Sequence, residues 1–206
     1  MFVALHGRMR GVTLAPFFMH NMTMDRSFNT ASSVRPYRPC VGIILVNAAG
    51  LVWIGRRLPK WSEDRSAFIW QMPQGGIDRG EEPRAAALRE LEEETGVHSV
   101  EVIAESSQWL SYDLPGNLMG VALKGKYRGQ MQKWFVMRFL GNDTEIRIEA
   151  RNGHKQEFDA WRWAHLHELP ELIVPFKRGI YEALAREFGN LVAPRPGSAQ
   201  PVGPGA

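Results

Sequence analysis

Short apolar runs and alternating stretches dominate the middle of the chain, and helical spacing of apolar residues is confined to a few places. Residues 40–46 (CVGIILV) are an apolar run of strand length, residues 47–50 carry a turn signal ending in Gly50, and residues 51–54 read as the returning strand. Residues 68–72 give a short strand. Residues 83–95 are strong helix formers, with Pro83 in the first turn and Gly96 as a stop. Residues 100–110, 119–124 and 133–140 read as further strands. Residues 176–188 place Phe176, Ile180, Tyr181, Leu184 and Phe188 on one stripe of a terminal helix. No internal repeat is visible. Alternating strand and helix signals predict an α/β protein, a mixed β-sheet sandwiched between α-helices.

The ends differ in composition from this middle. Residues 189–206 hold four Gly and four Pro, which predicts a disordered Pro/Gly-rich tail. Residues 1–36 lack clear periodicity and predict a disordered or mis-started extension, with Met22 and Met24 as alternative starts. Arg8 and Arg10 before the apolar run 11–19 allow a secretory or transit segment, but Pro16 breaks that run and no small-residue cleavage site follows. The domain itself is expected over residues 37–188. No apolar run approaches the ~20 residues that cross a bilayer, so no membrane association is expected. The lone Cys40 excludes a disulfide framework and suits a reducing, cytoplasmic setting.

The formal net charge of +3 comes from the ends. Four arginines and one aspartate lie in residues 1–36, and Arg195 lies in the tail. Removing them from 25 basic and 22 acidic groups leaves 20 and 21, a net of −1 over residues 37–188. A polyanion site must therefore be a local patch. Lys124, Lys126, Arg128, Lys133 and Arg138 form the candidate, because no acidic residue interrupts them between Leu114 and Asn142. A solvated loop is the plainer reading.

Chemistry concentrates on the first helix. Glu90, Glu93 and Glu94 stand at i, i+3 and i+4, so three carboxylates share one face and repel one another. Hard divalent cations take oxygen ligands and would relieve that repulsion. A solvated acidic face would look the same in isolation. The surrounding spacing separates the two: Gly75, five residues, Glu81, seven residues, then Arg89-Glu90-Leu91-Glu92-Glu93-Glu94-Thr95-Gly96-Val97. This resembles the Nudix hydrolase signature at every specified position, a coincidence with odds below roughly one in a million at ordinary residue frequencies.

The resemblance implies the Nudix fold and hydrolysis of a nucleoside diphosphate linked to another group. It implies that Glu90, Glu93 and Glu94 hold Mg²⁺ or Mn²⁺ with the Gly75 carbonyl. Glu81 and Arg89 would support the catalytic helix, with Gly76 and Gly96 shaping its two ends. Beyond this box, Tyr37-Arg38-Pro39, the run from Trp70 to Ile77, Gln132-Lys133-Trp134-Phe135, Glu157-Phe158-Asp159 and Phe176-Lys177-Arg178 resemble the bacterial RNA pyrophosphohydrolases. That likeness implies removal of pyrophosphate from 5′-triphosphorylated RNA, a step that promotes mRNA decay. Glu157 would be a fourth carboxylate, a metal ligand or general base, in a catalytic set with Glu90, Glu93, Glu94 and Arg89. Arg38, Arg56, Arg57, Lys133, Phe176 and Lys177 would bind substrate. Residues 59–67 look longer than the matching loop of some members, which bears on Arg56 and Arg57. The related alternative is hydrolysis of dinucleoside polyphosphates; the different-class alternative is a non-catalytic nucleotide- or RNA-binding module. A monomer or weak oligomer is expected. His154, His165 and His167 have no motif partner, and Trp134, Trp161 and Trp163 read as structural.

Overall fold

The computed structural model describes residues 35–59, 69–150 and 153–193. The expectations for residues 1–34 and 194–206, and for the long loop after Pro59, fall outside them. Strand β1 (Tyr37–Val46) starts three residues earlier than its apolar run, and β2 (Val52–Arg57) returns after the turn, in which the Asn47 side chain accepts from Ala49 N and Leu51 N. Two short strands follow, β3 (Trp70–Gln71) and β4 (Gln74–Gly76), and then helix α1 (Pro83–Thr95). Gly96 ends α1 in the left-handed conformation at φ 76°, its N–H bonded to the Glu92 carbonyl, as a C-cap glycine should.

The expected single strand over 100–110 is two strands, β5 (Val100–Glu105) and β6 (Leu110–Asp113). Ser106 breaks the run: its hydroxyl donates to the Gln108 carbonyl and accepts from Trp134 N. Residues 119–124 are not a strand. Residues 119–121 are a turn and 122–124 open the 3₁₀ turn Ala122–Gly125, which follows another at Gly116–Leu118; glycines at 116, 120 and 125 overrule the apolar character. Strand β7 (Gly129–Phe139), strand β8 (Phe158–Ala164), the short helix α2 (Leu169–Leu172) and helix α3 (Arg178–Val192) complete the chain. Helix α3 begins two residues later than expected and continues four residues past Phe188, burying Val192.

Among the described residues eight strands join one mixed sheet. Its centre is the parallel pair β1–β7, in register from Tyr37 opposite Gly129 to Val46 opposite Arg138. The other edge of β1 is shared by β2 and β4, and the other edge of β7 by β5 and β6. Strand alternation divides the core into two layers. Val41, Ile43, Leu45, Phe135 and Met137 face α1 through Ala86, Ala87 and Leu91. Ile44, Val46, Trp134 and Val136 face α3 through Tyr181, Leu184 and Phe188. The sheet is thus covered on both faces, as expected. Trp134 lies in the second layer, while Trp161 and Trp163 pack against the first.

Candidate active site

The tight link from β4 into α1 is built on close approach. A Cβ at Gly75 would lie 1.8 Å from the Glu90 carboxyl carbon, and one at Gly76 would lie 2.1 Å from Arg38 Nη2. Glycine at both positions lets the strand sit directly against a carboxylate and a guanidinium.

Arg89 organises the carboxylates. Its Nε and Nη2 donate to the two Glu81 oxygens at 2.8 Å each, and Nη2 also reaches the Gly76 carbonyl at 2.9 Å. Nη1 donates to Glu90 Oε1 at 3.0 Å and to Glu93 Oε1 at 3.2 Å. These bonds hold the Glu81 carboxyl at about 2, well below the usual range, and raise the Arg89 guanidinium. The Glu90 carboxyl is pushed the other way: burial raises it more than Arg89 lowers it. Glu94 Oε2 accepts from Gln74 N at 3.1 Å. His154, assigned no partner from sequence, brings Nδ1 to 3.1 Å from Glu93 Oε2. No spacing rule links positions so far apart.

An open-mouthed cavity of about 130 Å³ adjoins this cluster. Its lining includes Glu94, Glu157 and Gly75, Arg38 and Arg57, and Phe176, Lys177 and Tyr112. The Phe176 ring sits 5.5 Å from the Tyr112 ring, and Lys177 Nζ lies 5.3 Å from the Tyr112 ring centre. Glu157 arrives just before β8, and its carbonyl accepts from Leu58 N, which ties it to the end of β2.

Two expected substrate contacts are not brought to the cavity. Arg56 makes a two-pronged pair with Asp159 at 2.8 and 3.0 Å. Lys133 donates to the Ser106 carbonyl and lies 3.4 Å from Glu105. The sequence-defined basic patch is also diminished. Arg128 pairs with Asp113 and Arg138 with Glu101, so three of its five cations face acids from adjacent strands.

The donor set suits a hard divalent cation: carboxylate oxygens, one of them on the half-buried Glu90, which resists standing alone as an anion. Arg89 Nη1 already sits between Glu90 and Glu93, which shows positive charge is favoured there. Among the described residues no three such side chains yet converge on one point. Glu90, Glu93, Glu94, Glu157 and the Gly75 carbonyl are the groups that would hold the ion.

A mixed sheet between helices, with a glycine-lined strand feeding a carboxylate helix beside an arginine- and aromatic-lined cavity, defines a hydrolase of phosphoanhydrides. The NUDIX domain model matches residues 36–184, and the chain belongs to the Nudix family, whose members generally use divalent metal ions. It is 58% identical over 161 residues to the RNA pyrophosphohydrolase of Brucella anthropi, covering 77% of this chain and 92% of that one. It is 56% identical over 159 residues to the RNA pyrophosphohydrolase of Agrobacterium fabrum, covering 76% and 94%. The fold is also similar to the MutT protein of Methanosarcina mazei Go1, with a TM-score of 0.54 at 18% identity, covering 74% of this chain and 96% of that one. No helix among the described residues is long and apolar enough to cross a membrane.

Proposed function

We propose that this chain removes pyrophosphate from the 5′-triphosphate end of RNA in the cytoplasm, leaving a 5′-monophosphate and promoting mRNA decay, with Mg²⁺ or Mn²⁺ as the ion. Water adds to the phosphorus nearest the ribose, the bond from that phosphorus to the bridging oxygen breaks, and pyrophosphate leaves with the electron pair. Bound divalent cations supply charge neutralisation on the triphosphate and activation of water. The chain's own residues do the rest. In this reading Glu157 takes the proton from water, Arg89 and Glu81 hold the carboxylate helix in register, and Arg38 and Arg57 receive phosphate oxygens.

The observation that carries this reading is the shared cavity. It puts Glu94 and Glu157 in one space with a half-buried phenylalanine and a lysine, the pairing that stacks a base and receives a backbone phosphate. The test is parallel turnover of 5′-triphosphorylated RNA and diadenosine tetraphosphate, with products identified. Pyrophosphate and 5′-monophosphorylated RNA as the favoured products support the proposal. Preferred cleavage of the dinucleotide would replace it with the related alternative, and turnover of neither would leave a binding module.

A further inference from the structure

Behind the cavity wall lies a buried polar relay. Gln130, Gln132 and Trp134 alternate along β7, so their side chains share the face turned toward α3. Trp134 Nε1 donates to Gln132 Oε1 at 3.1 Å. Gln132 Nε2 donates to Gln74 Oε1 at 3.1 Å and to Gln130 Oε1 at 3.0 Å. Gln132 is 1% exposed, while Gln74 and Gln130 both line the cavity.

This relay has only one consistent polarity. An indole N–H donates and cannot accept, so the Gln132 oxygen must face Trp134 and its NH₂ must face away. Both N–H groups of that amide are then consumed by the oxygens of Gln74 and Gln130. Each of those amides is in turn forced to direct its own NH₂ away from Gln132. Among the described residues neither Nε2 has a hydrogen-bond acceptor, and neither is a sealed-off polar atom; the only such atoms are Trp53 Nε1 and Arg178 Nε. Both NH₂ groups therefore keep solvent access, on two residues that line the cavity.

We propose that Gln132 is a positioning residue that sets this wall of the cavity as a hydrogen-bond donor, so that it selects ligand groups rich in acceptors. Such acceptors are phosphate oxygens, or the keto oxygens and ring nitrogens of a base. Gln74 couples this wall to the carboxylate helix, because its backbone N–H is the donor to Glu94. The inference rests on the proposed RNA-end reading for its ligand, but not on hydrolysis.

The decisive variant is Gln132→Glu. One carboxylate oxygen still accepts from Trp134, but the other now faces the oxygens of Gln74 and Gln130. Those amides must turn over, and acceptors then line the cavity. Equilibrium binding is measured with a dinucleotide carrying a 5′-imidotriphosphate and with its analogue lacking the second base. Gln132→Glu is expected to weaken binding by roughly five- to twentyfold, one or two lost hydrogen bonds. In turnover it should raise KM by a like factor with little change in kcat. Weakening confined to the intact dinucleotide assigns the donors to the base; equal weakening of both assigns them to phosphate. Trp134→Phe, which frees Gln132 to rotate without adding charge, should weaken binding in the same pattern and covers the case where Gln132→Glu fails to fold. The proposal is overturned if folded variants bind both probes as tightly as the wild type. If the wild type itself binds neither probe, it is the RNA-end reading that fails.

Discussion

Glu81 and Arg89 meet in a two-pronged ion pair, both prongs 2.8 Å long, in which one guanidinium also spans Glu90, Glu93 and the Gly76 carbonyl. The pair holds Glu81 at about 2, against about 4.3 in an unfolded chain. A depressed acid contributes stability that is present above its unfolded value and lost as pH falls through the folded one. The melting temperature of the wild type should therefore exceed that of Glu81→Gln at neutral pH, with the gap closing between about pH 4.3 and pH 2. A gap independent of pH would show that Glu81 acts through packing alone.

Glu93→Gln removes one anionic ligand and keeps its shape. Hydrolysis should fall by at least ~100-fold in a correctly folded, metal-saturated protein. Glu90→Gln should do the same and have a second effect. Burial raises the Glu90 carboxyl, so its ionised form costs stability once pH exceeds the unfolded value. The metal-free variant should melt higher than the metal-free wild type at pH 7, and divalent cation should stabilise it less. A lower melting temperature would mean that the bond from Arg89 outweighs burial.

The adjacent glycines should fail differently. Gly75→Ala puts a methyl group where the Glu90 carboxylate lies, so kcat should drop about tenfold or more while the sheet survives. Gly76→Ala meets the far end of the Arg38 side chain, which can swing aside; its signature should be a raised KM. Steady-state kinetics on the two variants separates these outcomes.

Phe176→Ala should weaken turnover of a triphosphorylated oligonucleotide by roughly five- to 150-fold, the worth of stacking one base. A nucleoside triphosphate should lose far less. Phe176 also packs on Tyr112, so equal losses on both substrates, accompanied by a lower melting temperature, would make it a core residue.

Removing residues 194–206 should leave turnover per folded molecule almost unchanged, because that stretch is rich in Pro and Gly. Cutting after Phe188 removes the last turn of α3 and the buried Val192, and should lower stability by roughly 1–3 kcal/mol. Denaturant unfolding of both truncations distinguishes them.

The carboxylate helix was legible because its signal is local: a proline start, a glycine stop and three acids at helical spacing. The central strands were legible for the same reason, as apolar runs of the right length. What escaped depends on residues distant in sequence. Lys133, Arg128 and Arg138 looked like an unopposed basic patch, but Glu105, Asp113 and Glu101 reach them across the sheet. His154 meets Glu93 across 61 positions. The misread strand at 119–124 failed on backbone chemistry. Gly120 and Gly125 adopt positive φ, and Leu123 and Lys124 follow them into the left-handed region, where no strand can continue.

The parallel partnership of β1 and β7 governs how the protein can come off the ribosome. Tyr37 faces Gly129 in that ladder, so the first strand must wait for some ninety further residues before its central neighbour exists. Pairings of such long sequence separation form slowly, and until they do the layer under α1 lacks Phe135 and Met137. The carboxylate helix is translated early, yet the wall bearing Gln130, Gln132 and Trp134 comes later, and Glu157 and Phe176 come later still. Synthesis therefore withholds the assembled site until nearly the whole domain has emerged.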